Sequence, residues 1–592
     1  MHHASLLPPL PHVPEQNVHH ILLGRRDQQS WPDFTSQVDI LTGERRSFRE
    51  FLERVRDGAT ALEIGTEHGG LGIRSDNDEV VGILSENCLD YVALIHSLLA
   101  ITVPFATFSS YSTSFEFQYT IRLSGATRLF VSPTLLHLAR DSGLPDDRIY
   151  ILEGNVEGHT SYPTLVDRVR RNKIARVPVR PAKKDTLAYL VFSSGTTGLP
   201  KAVMITHGNL IASTFQYLIF VQEIAKVQDP RVWNGPDGMQ VVFNVLPIHH
   251  TYGLHIAAFH CFFEPVTVLF LSKWDADTFL DSIPKLVLPQ YVVLLHSPYK
   301  TQSLYRYHIT SLVLVPSLIY QIVHHPRFLS ADFTTVQTIR SGAAYLPTQL
   351  RERLWSRFPN VERIGGGYGM SESTLAVSIM PAAGMLDGRI KNVPGSIGIL
   401  VSGIETRVVR EDGTLAGINE PGELHVRGSS ISPGYWRNEA ATKVAFVDGW
   451  LRTGDRIRID SDGVLYFEDR AKDTLKVSGM QVSPMEIENT ILDHPDKLVD
   501  DVTVAGVSGG RTMDERVPRA WIVLSPAGVQ LGVAEATKRI DEWVRECLSR
   551  YKWLRGGIAV VDDIPKSPTG KVLRRQLVDK YEAERTTPMT RL

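Results

Sequence analysis

The run Ser193-Ser194-Gly195-Thr196-Thr197-Gly198-Leu199-Pro200-Lys201 gathers four hydroxyls, two glycines and a lysine. That set suits an oxyanion such as phosphate. Glycine lets the backbone approach an anion and turn N–H groups toward it, hydroxyls donate further hydrogen bonds, and the lysine adds a point charge. It is not a Walker loop, because G-x-x-x-x-G-K-[ST] is not matched and Ala202 follows the lysine. A solvated Ser/Thr/Gly turn has the same composition; the tight spacing ending in lysine favours an anion site.

Such a loop needs rigid supports. Leu187 to Phe192 is short, apolar and β-prone enough to be a buried strand, and Thr206 can cap a helix beginning near His207, which predicts a strand, loop, helix order. Strand-like runs at Val80–Leu84, Leu129–Val131, Val241–Leu246 and Leu312–Val315 alternate with amphipathic segments of helix length. This pattern predicts an α/β fold of parallel sheets covered by helices. From about 397 to 467 the texture changes to short β-prone pieces parted by turns such as Asp412-Gly413, Pro421-Gly422 and Asp462-Gly463, as in a small β-rich subdomain. The charged strip Asp469 to Asp473 then marks a boundary. The expected organisation is a large N-terminal domain over 1–468, a connector at 469–473 and a smaller α+β C-terminal domain over 474–592. Residues 285–304 form an apolar run with prolines and no amphipathic period, readable as a strand plus a turn or as the translation of an unremoved intron.

A chain of 592 residues exceeds what one core usually supports. With 63 basic and 65 acidic residues its formal charge is -2, so no global field recruits nucleic acid or an anionic membrane. Small molecules or proteins are the expected partners. Cys88, Cys261 and Cys547 are scattered, with neither metal-ligand spacing nor a disulfide framework, which suits a reducing compartment. The stretch Ile256 to Leu271 is broken by His260, Glu264 and Pro265 and is too short for a transmembrane segment. Met1 to Gln16 lacks the charged and apolar regions of a secretory signal. A cytoplasmic protein is expected; Thr590-Arg591-Leu592 distantly echoes a peroxisomal address, against which stands the reading of an ordinary tail.

Further blocks accompany the loop: Pro247-Ile-His-His-Thr-Tyr-Gly253, Ser341-Gly-Ala-Ala344, Gly367-Tyr-Gly-Met-Ser-Glu372, Gly449-Trp-Leu-Arg-Thr-Gly-Asp455, Asp469-Arg-Ala-Lys472 through Glu488, and Pro565-Lys-Ser-Pro-Thr-Gly-Lys571. No single block is diagnostic. Together, in this order, they resemble the adenylate-forming (AMP-binding) superfamily over roughly residues 45 to 580. Tyr551-Lys552 and Leu554-Arg-Gly-Gly557 make the chain most similar to the 4-coumarate-CoA ligase-like acyl-CoA synthetases.

The resemblance implies ATP, Mg²⁺ and coenzyme A, with a carboxylic acid adenylated and then passed to the thiol. It makes Ser193, Ser194, Gly195, Thr196, Thr197, Gly198 and Lys201 phosphate contacts, Glu372 the metal ligand, and Ser371, where relatives usually carry threonine, a further phosphate contact. Adenine would lie along Ser341 to Ala344 and Gly365 to Tyr368, including Gly366 and Gly367. Asp455 and Arg470 would hold the ribose. Lys571 would reach the carboxylate and nucleotide from a mobile C-terminal domain hinged at Lys472. Lys476, Gly479 and Lys273 would serve the thiol step, although Ser478 replaces the lysine of plant relatives. His250 would gate the acyl, nucleotide and thiol channels, or else be a packed core histidine. Tyr252, Ala343, Gly366, Thr374, Leu375 and Ile379 would shape a mainly apolar acyl pocket, suiting an aryl-propenoic or medium-chain acid. Two alternatives stay open: transfer in trans to a carrier protein, and an inactive nucleotide-binding protein.

Overall fold

The computed structural model describes residues 2–75, 79–193, 200–283, 307–344, 346–389, 393, 395–470, 475–477, 480–509, 516–548, 550–566 and 572–586. The run 285–304 therefore lies outside the described residues. Two compact units emerge, one formed by His3–Glu405 with Val426–Leu451, the other by Met1–His2, Thr406–His425 and Arg452–Leu592.

The first unit is α/β, as expected. A six-stranded sheet runs in the order Ile149–Ile151, Arg128–Val131, Val81–Leu84, Phe105–Phe108, Leu187–Ser193, Lys201–Thr206. All its pairings are parallel except the last. In a larger sheet Ile364–Tyr368, Thr338–Ser341, Ser311–Leu314, Gln240–Asn244, Val266–Phe270 and Thr35–Asp39 are successive parallel neighbours. The six-stranded sheet is buried on both faces, which is why its strands read as unbroken apolar runs. Ile83, Phe130, Tyr189 and Val191 join Phe243, Leu312 and Ile339 of the larger sheet in one core. Leu84, Leu129, Val131 and Leu190 point into a second. The helix Leu89–Ala100 is buried along its whole length, accounting for its lack of a polar stripe.

One expectation fails next to the phosphate-type loop. A strand, Lys201–Thr206, intervenes before the helix, and it pairs antiparallel with Leu187–Ser193 so that Ser193 faces Lys201 and Phe192 faces Ala202. Ala202, Val203 and Ile205 are buried there; their apolar character, with Val203 and Ile205 β-branched, wins a place in the sheet. Thr206 does cap the helix His207–Ala225, exchanging bonds with Asn209 in a capping box. Six strand residues separate that helix start from the loop's base, roughly 20 Å at strand rise. The loop therefore has hydroxyls, N–H groups and Lys201 to offer an anion, without the helix terminus.

The second unit holds most of four consecutive sheet neighbours, Glu405–Val409, Gly422–Arg427, Trp450–Ile459 and Val464–Arg470. Beyond them Val499–Ser508 and Arg516–Leu524 pair antiparallel, and Ile558–Val560 joins the latter in parallel. Helices Pro484–Leu492 and Val533–Cys547 cover this small sheet through Ile487, Ile491, Ile540 and Val544, packed with Val504 and Ile522. Ser483 and Pro484 start the first helix as cap and first residue. No helix of the described residues is long and apolar enough to cross a membrane.

Candidate active site

In the first unit the base of the loop meets the Glu372 turn. Ser193 Oγ donates to Glu372 Oε1 at 3.2 Å, and the Tyr435 hydroxyl donates to the same oxygen at 2.9 Å. Lys201 Nζ sits 4.8 Å from the centroid of the Tyr435 ring, a cation–π contact. Burial and the Glu372 carboxylate push the Tyr435 hydroxyl well above its usual range, so it remains a proton donor. Tyr435 was not singled out from sequence. It arrives because the 434–436 segment lies along the strand Lys201–Thr206, with Trp436 N–H donating to Ala202 at 2.8 Å and Met204 N–H donating to Gly434 at 3.1 Å. Ser194 to Gly198 lie outside the described residues.

Glu372 stands in a single turn, Ser371–Ser373, whose cap is Met370. The turn is fixed from several directions. Thr251 Oγ1 donates to Ser371 Oγ at 3.2 Å, and Ser432 N–H donates to the Glu372 carbonyl at 2.8 Å. Thr374 has φ 66°, a left-handed conformation costly for a β-branched residue. Its buried hydroxyl donates to the Ser430 carbonyl at 2.6 Å, which compensates and holds the turn. Thr374 is thus engaged in fixing the turn, while Leu375 and Ile379 are half-buried.

Glycines allow close approach in the neighbouring strand. Gly366 pairs with Ser341, and a Cβ on it would lie 2.6 Å from the Ser341 carbonyl oxygen; one on Gly367 would lie 2.3 Å from that of Ser378. Tyr368, next along, pairs with Ser378. Among the described residues Ser341 Oγ, buried, has no hydrogen-bond partner. After it, Gly342 lies against the Tyr252 ring, 3.2 Å from its nearest atom to a built Cβ, and exposed Ala343 takes φ 68°. The fold therefore joins Tyr252 to the Ser341–Ala344 block.

His250 caps the helix Thr251–Ala258, its Nδ1 accepting from Tyr252 N–H at 3.3 Å. With Nδ1 an acceptor, the neutral ring carries its proton on Nε2. Burial lowers its pKa to about 4, so the neutral form dominates near neutrality. Burial, with His250 beside it, lowers His249 to about 3. Lys273 is not isolated: its Nζ is 3.7 Å from Glu86 Oε1, and Ser132 and Thr134 also donate to that carboxylate.

In the second unit Asp455 is buried and sits directly opposite Arg470 in the antiparallel register, bringing the two expected ribose residues side by side. Asp455 N–H donates to Thr453 Oγ1 at 3.2 Å. Lys476 pairs with Gln481 in a two-stranded ribbon, Leu475–Val477 with Met480–Val482. Lys472, Gly479 and Lys571 lie outside the described residues. The segments flanking Lys571 are nevertheless well tied. Lys566 bridges to Val572, and Leu573 N–H donates to the Pro565 carbonyl at 2.8 Å. Lys566 pairs with Asp501, while Arg574 pairs with Glu488 at 2.8 Å.

Residues 25–436 match the AMP-binding enzyme family, and residues 486–571 match the AMP-binding enzyme C-terminal domain. The chain belongs to that family, the adenylate-forming acyl-CoA ligases. Among its relatives, the acyl-CoA ligase AFT1-1 of Alternaria alternata is 29% identical, over 84% of this chain and 82% of its own. The 4-coumarate--CoA ligase-like 8 of Arabidopsis thaliana is 27% identical, over 93% of this chain and 90% of its own. The crystal structure of the anthranilate CoA ligase AuaEII in complex with anthranoyl-AMP shares the fold, with TM-score 0.75 and 22% identity over 97% of this chain and 98% of that one.

Proposed function

We propose that this protein is an ATP-dependent carboxylic acid–CoA ligase that forms an acyl-adenylate, releases pyrophosphate and then forms the CoA thioester. The observation that carries the reading is the meeting of Ser193, Lys201, Tyr435 and Glu372 at the base of the Ser/Thr/Gly loop. A carboxylate is a poor acyl donor because oxide is a bad leaving group; attachment to the α-phosphate makes AMP the leaving group. The first step brings two anions together, so charge must be neutralised where they react.

The donor set fits that need. Lys201 with the hydroxyls from Ser193 to Thr197 would hold the β- and γ-phosphates, with Ser371 contributing beside Glu372. Mg²⁺ suits Glu372, since this ion binds through one or two carboxylates together with substrate phosphates, and when bound it neutralises phosphate charge. Both described bonds to this carboxylate fall on Oε1. The unpaired Ser341 hydroxyl beside Gly366, Gly367 and Tyr368 fits a nucleobase, and the acceptor-only carboxylate of Asp455 fits the two ribose hydroxyls, with Arg470 beside it. Lys571 would neutralise the attacking carboxylate. The division into 1–468, a hinge at 469–473 turning about Lys472, and 474–592 belongs to the same proposal, with Lys476, Gly479 and Lys273 serving the thiol step. The proposed acid is an aryl-propenoic or medium-chain one, shaped by Tyr252, Ala343, Leu375 and Ile379, with Thr374 holding the turn beside them.

A neutral His250 at a helix cap acts as a gate and positioning group. His250→Ala should lower thioester formation while acid-dependent pyrophosphate release persists; equal loss of both would remove the gating role. The whole reading is tested by pyrophosphate release across a panel of aryl-propenoic and medium-chain acids, with and without coenzyme A. The expected result is release that requires acid, and thioester only when coenzyme A is present. Release without thioester would point to another acceptor, and no release with any acid would overturn the reading.

A further inference from the structure

A small cavity of about 30 Å³ lies between the strand Thr338–Ser341 and the helix Thr251–Ala258. Apolar side chains such as Val242 and Ile256 form part of its wall, and Ile256 lies one turn beyond Tyr252 on the same helix. The rest is unlike an apolar acyl pocket. Arg340, Tyr217, His260 and Glu264 all line it. Arg340 comes from the strand Thr338–Ser341, immediately before the Ser341-Gly342 segment that carries the Tyr252 ring. Its guanidinium lies deep among protein atoms with the Tyr217 hydroxyl beside it, and the residue lines the cavity.

A guanidinium so placed is costly unless matched by an anion. Glu264 acts on the charge of Arg340, as do the hydroxyls of Tyr217 and Tyr252, but no described carboxylate lies within ion-pair distance of it. Burial raises the Glu264 carboxyl above its usual range, which weakens it further as a permanent counter-charge. A second observation concerns the ring beside it. Among the described residues His260 Nε2, buried, has no hydrogen-bond partner, while the His260 ring stacks on Tyr217 with centroids 4.2 Å apart and planes 14° from parallel. Charge, an unsatisfied ring nitrogen and a phenol hydroxyl thus border one space, and the Arg340 charge also acts on the Tyr252 hydroxyl.

We infer that the acid activated here carries a second anionic oxygen group, a distal carboxylate or its equivalent, received by Arg340 with Tyr217 and His260. This rests on the ligase reading above and names its substrate class more narrowly. Planar guanidinium matches carboxylate in a bidentate geometry, and the cavity would take the anionic end of the acid.

The test compares matched acids, suberate with octanoate and 4-carboxycinnamate with cinnamate, by acid-dependent pyrophosphate release. Wild-type protein should favour the diacid in kcat/KM in at least one pair. In Arg340→Met the diacid-to-monoacid ratio should fall roughly ten- to hundredfold, the size of a lost hydrogen bond to a charged group, whereas Arg340→Lys should keep part of the preference. A wild-type preference for the monoacid in both pairs, or an unchanged ratio in Arg340→Met, overturns the inference while leaving the ligase reading intact. Titration calorimetry with suberate and 4-carboxycinnamate, without ATP, separates the two claims. Diacid binding that Arg340→Met weakens, in a protein releasing no pyrophosphate, supports the anion site and counts against the ligase. If Arg340→Met does not fold, Glu264→Gln decides: removing the competing carboxylate should strengthen diacid binding, and unchanged or weaker binding overturns the inference.

Discussion

Glu372 is positioned by groups far away in the chain, and one of them makes a discriminating variant. Tyr435→Phe removes a hydroxyl that donates to Glu372 Oε1 while keeping the ring under Lys201. It should lower kcat/KM for ATP about ten- to hundredfold, the loss expected for one hydrogen bond to a charged acceptor, with little change in melting temperature. Steady-state kinetics alongside a thermal melt checks this, and an unchanged kcat/KM would show that the hydroxyl does not position the carboxylate. Glu372 itself was legible, since its Gly-Tyr-Gly-Met-Ser context carries the motif, as were Lys201 and the facing pair Asp455 and Arg470. Tyr435 was not, because its partner lies 63 residues away and the contact depends on the 434–436 segment pairing with Lys201–Thr206. The strain at Thr374 was equally hidden, since a threonine does not announce a φ of 66°.

The strand Lys201–Thr206 changes how the phosphate-type loop works. Its buried residues include Ala202, Val203 and Ile205, and the strand is hidden in the sequence because the lysine reads as the end of the loop and the threonine as the start of the helix. With the helix start displaced, Thr206 is a stability device separate from the anion site. Thr206→Ala should cost about 1 kcal/mol through loss of the capping box and leave KM for ATP unchanged. Denaturant melts and ATP kinetics measure the two effects; a large rise in KM would mean that the helix terminus does reach the phosphates. Sheet-forming segments were otherwise readable because the six-stranded sheet is buried on both faces, leaving dense apolar runs at Val81–Leu84, Arg128–Val131 and Leu187–Ser193. The polar cavity was not readable, since Arg340 sits in an ordinary-looking β segment and acquires its meaning only from Tyr217 and His260 beside it.

Several histidines of the first unit tie the folded state as a whole to pH. Burial lowers His96 and His207 to about 4 each. A native pKa below the unfolded value of about 6.5 means that the unfolded chain binds protons first. The contribution is therefore complete above about pH 6.5 and is lost as pH falls through the window down to about 4. Each shift corresponds to on the order of 3 kcal/mol at its limit, so the melting temperature should drop steeply between pH 6.5 and 4. A flat profile across that window would mean these rings are not held neutral. The central chemical claim, that phosphate binding here serves attack at the α-phosphate, has a more direct test. Isotope exchange between labelled pyrophosphate and ATP should depend on an added acid and proceed without coenzyme A, because the adenylate forms reversibly before the thiol enters. Absence of exchange with every acid, with ADP and phosphate appearing as products instead, would contradict the account.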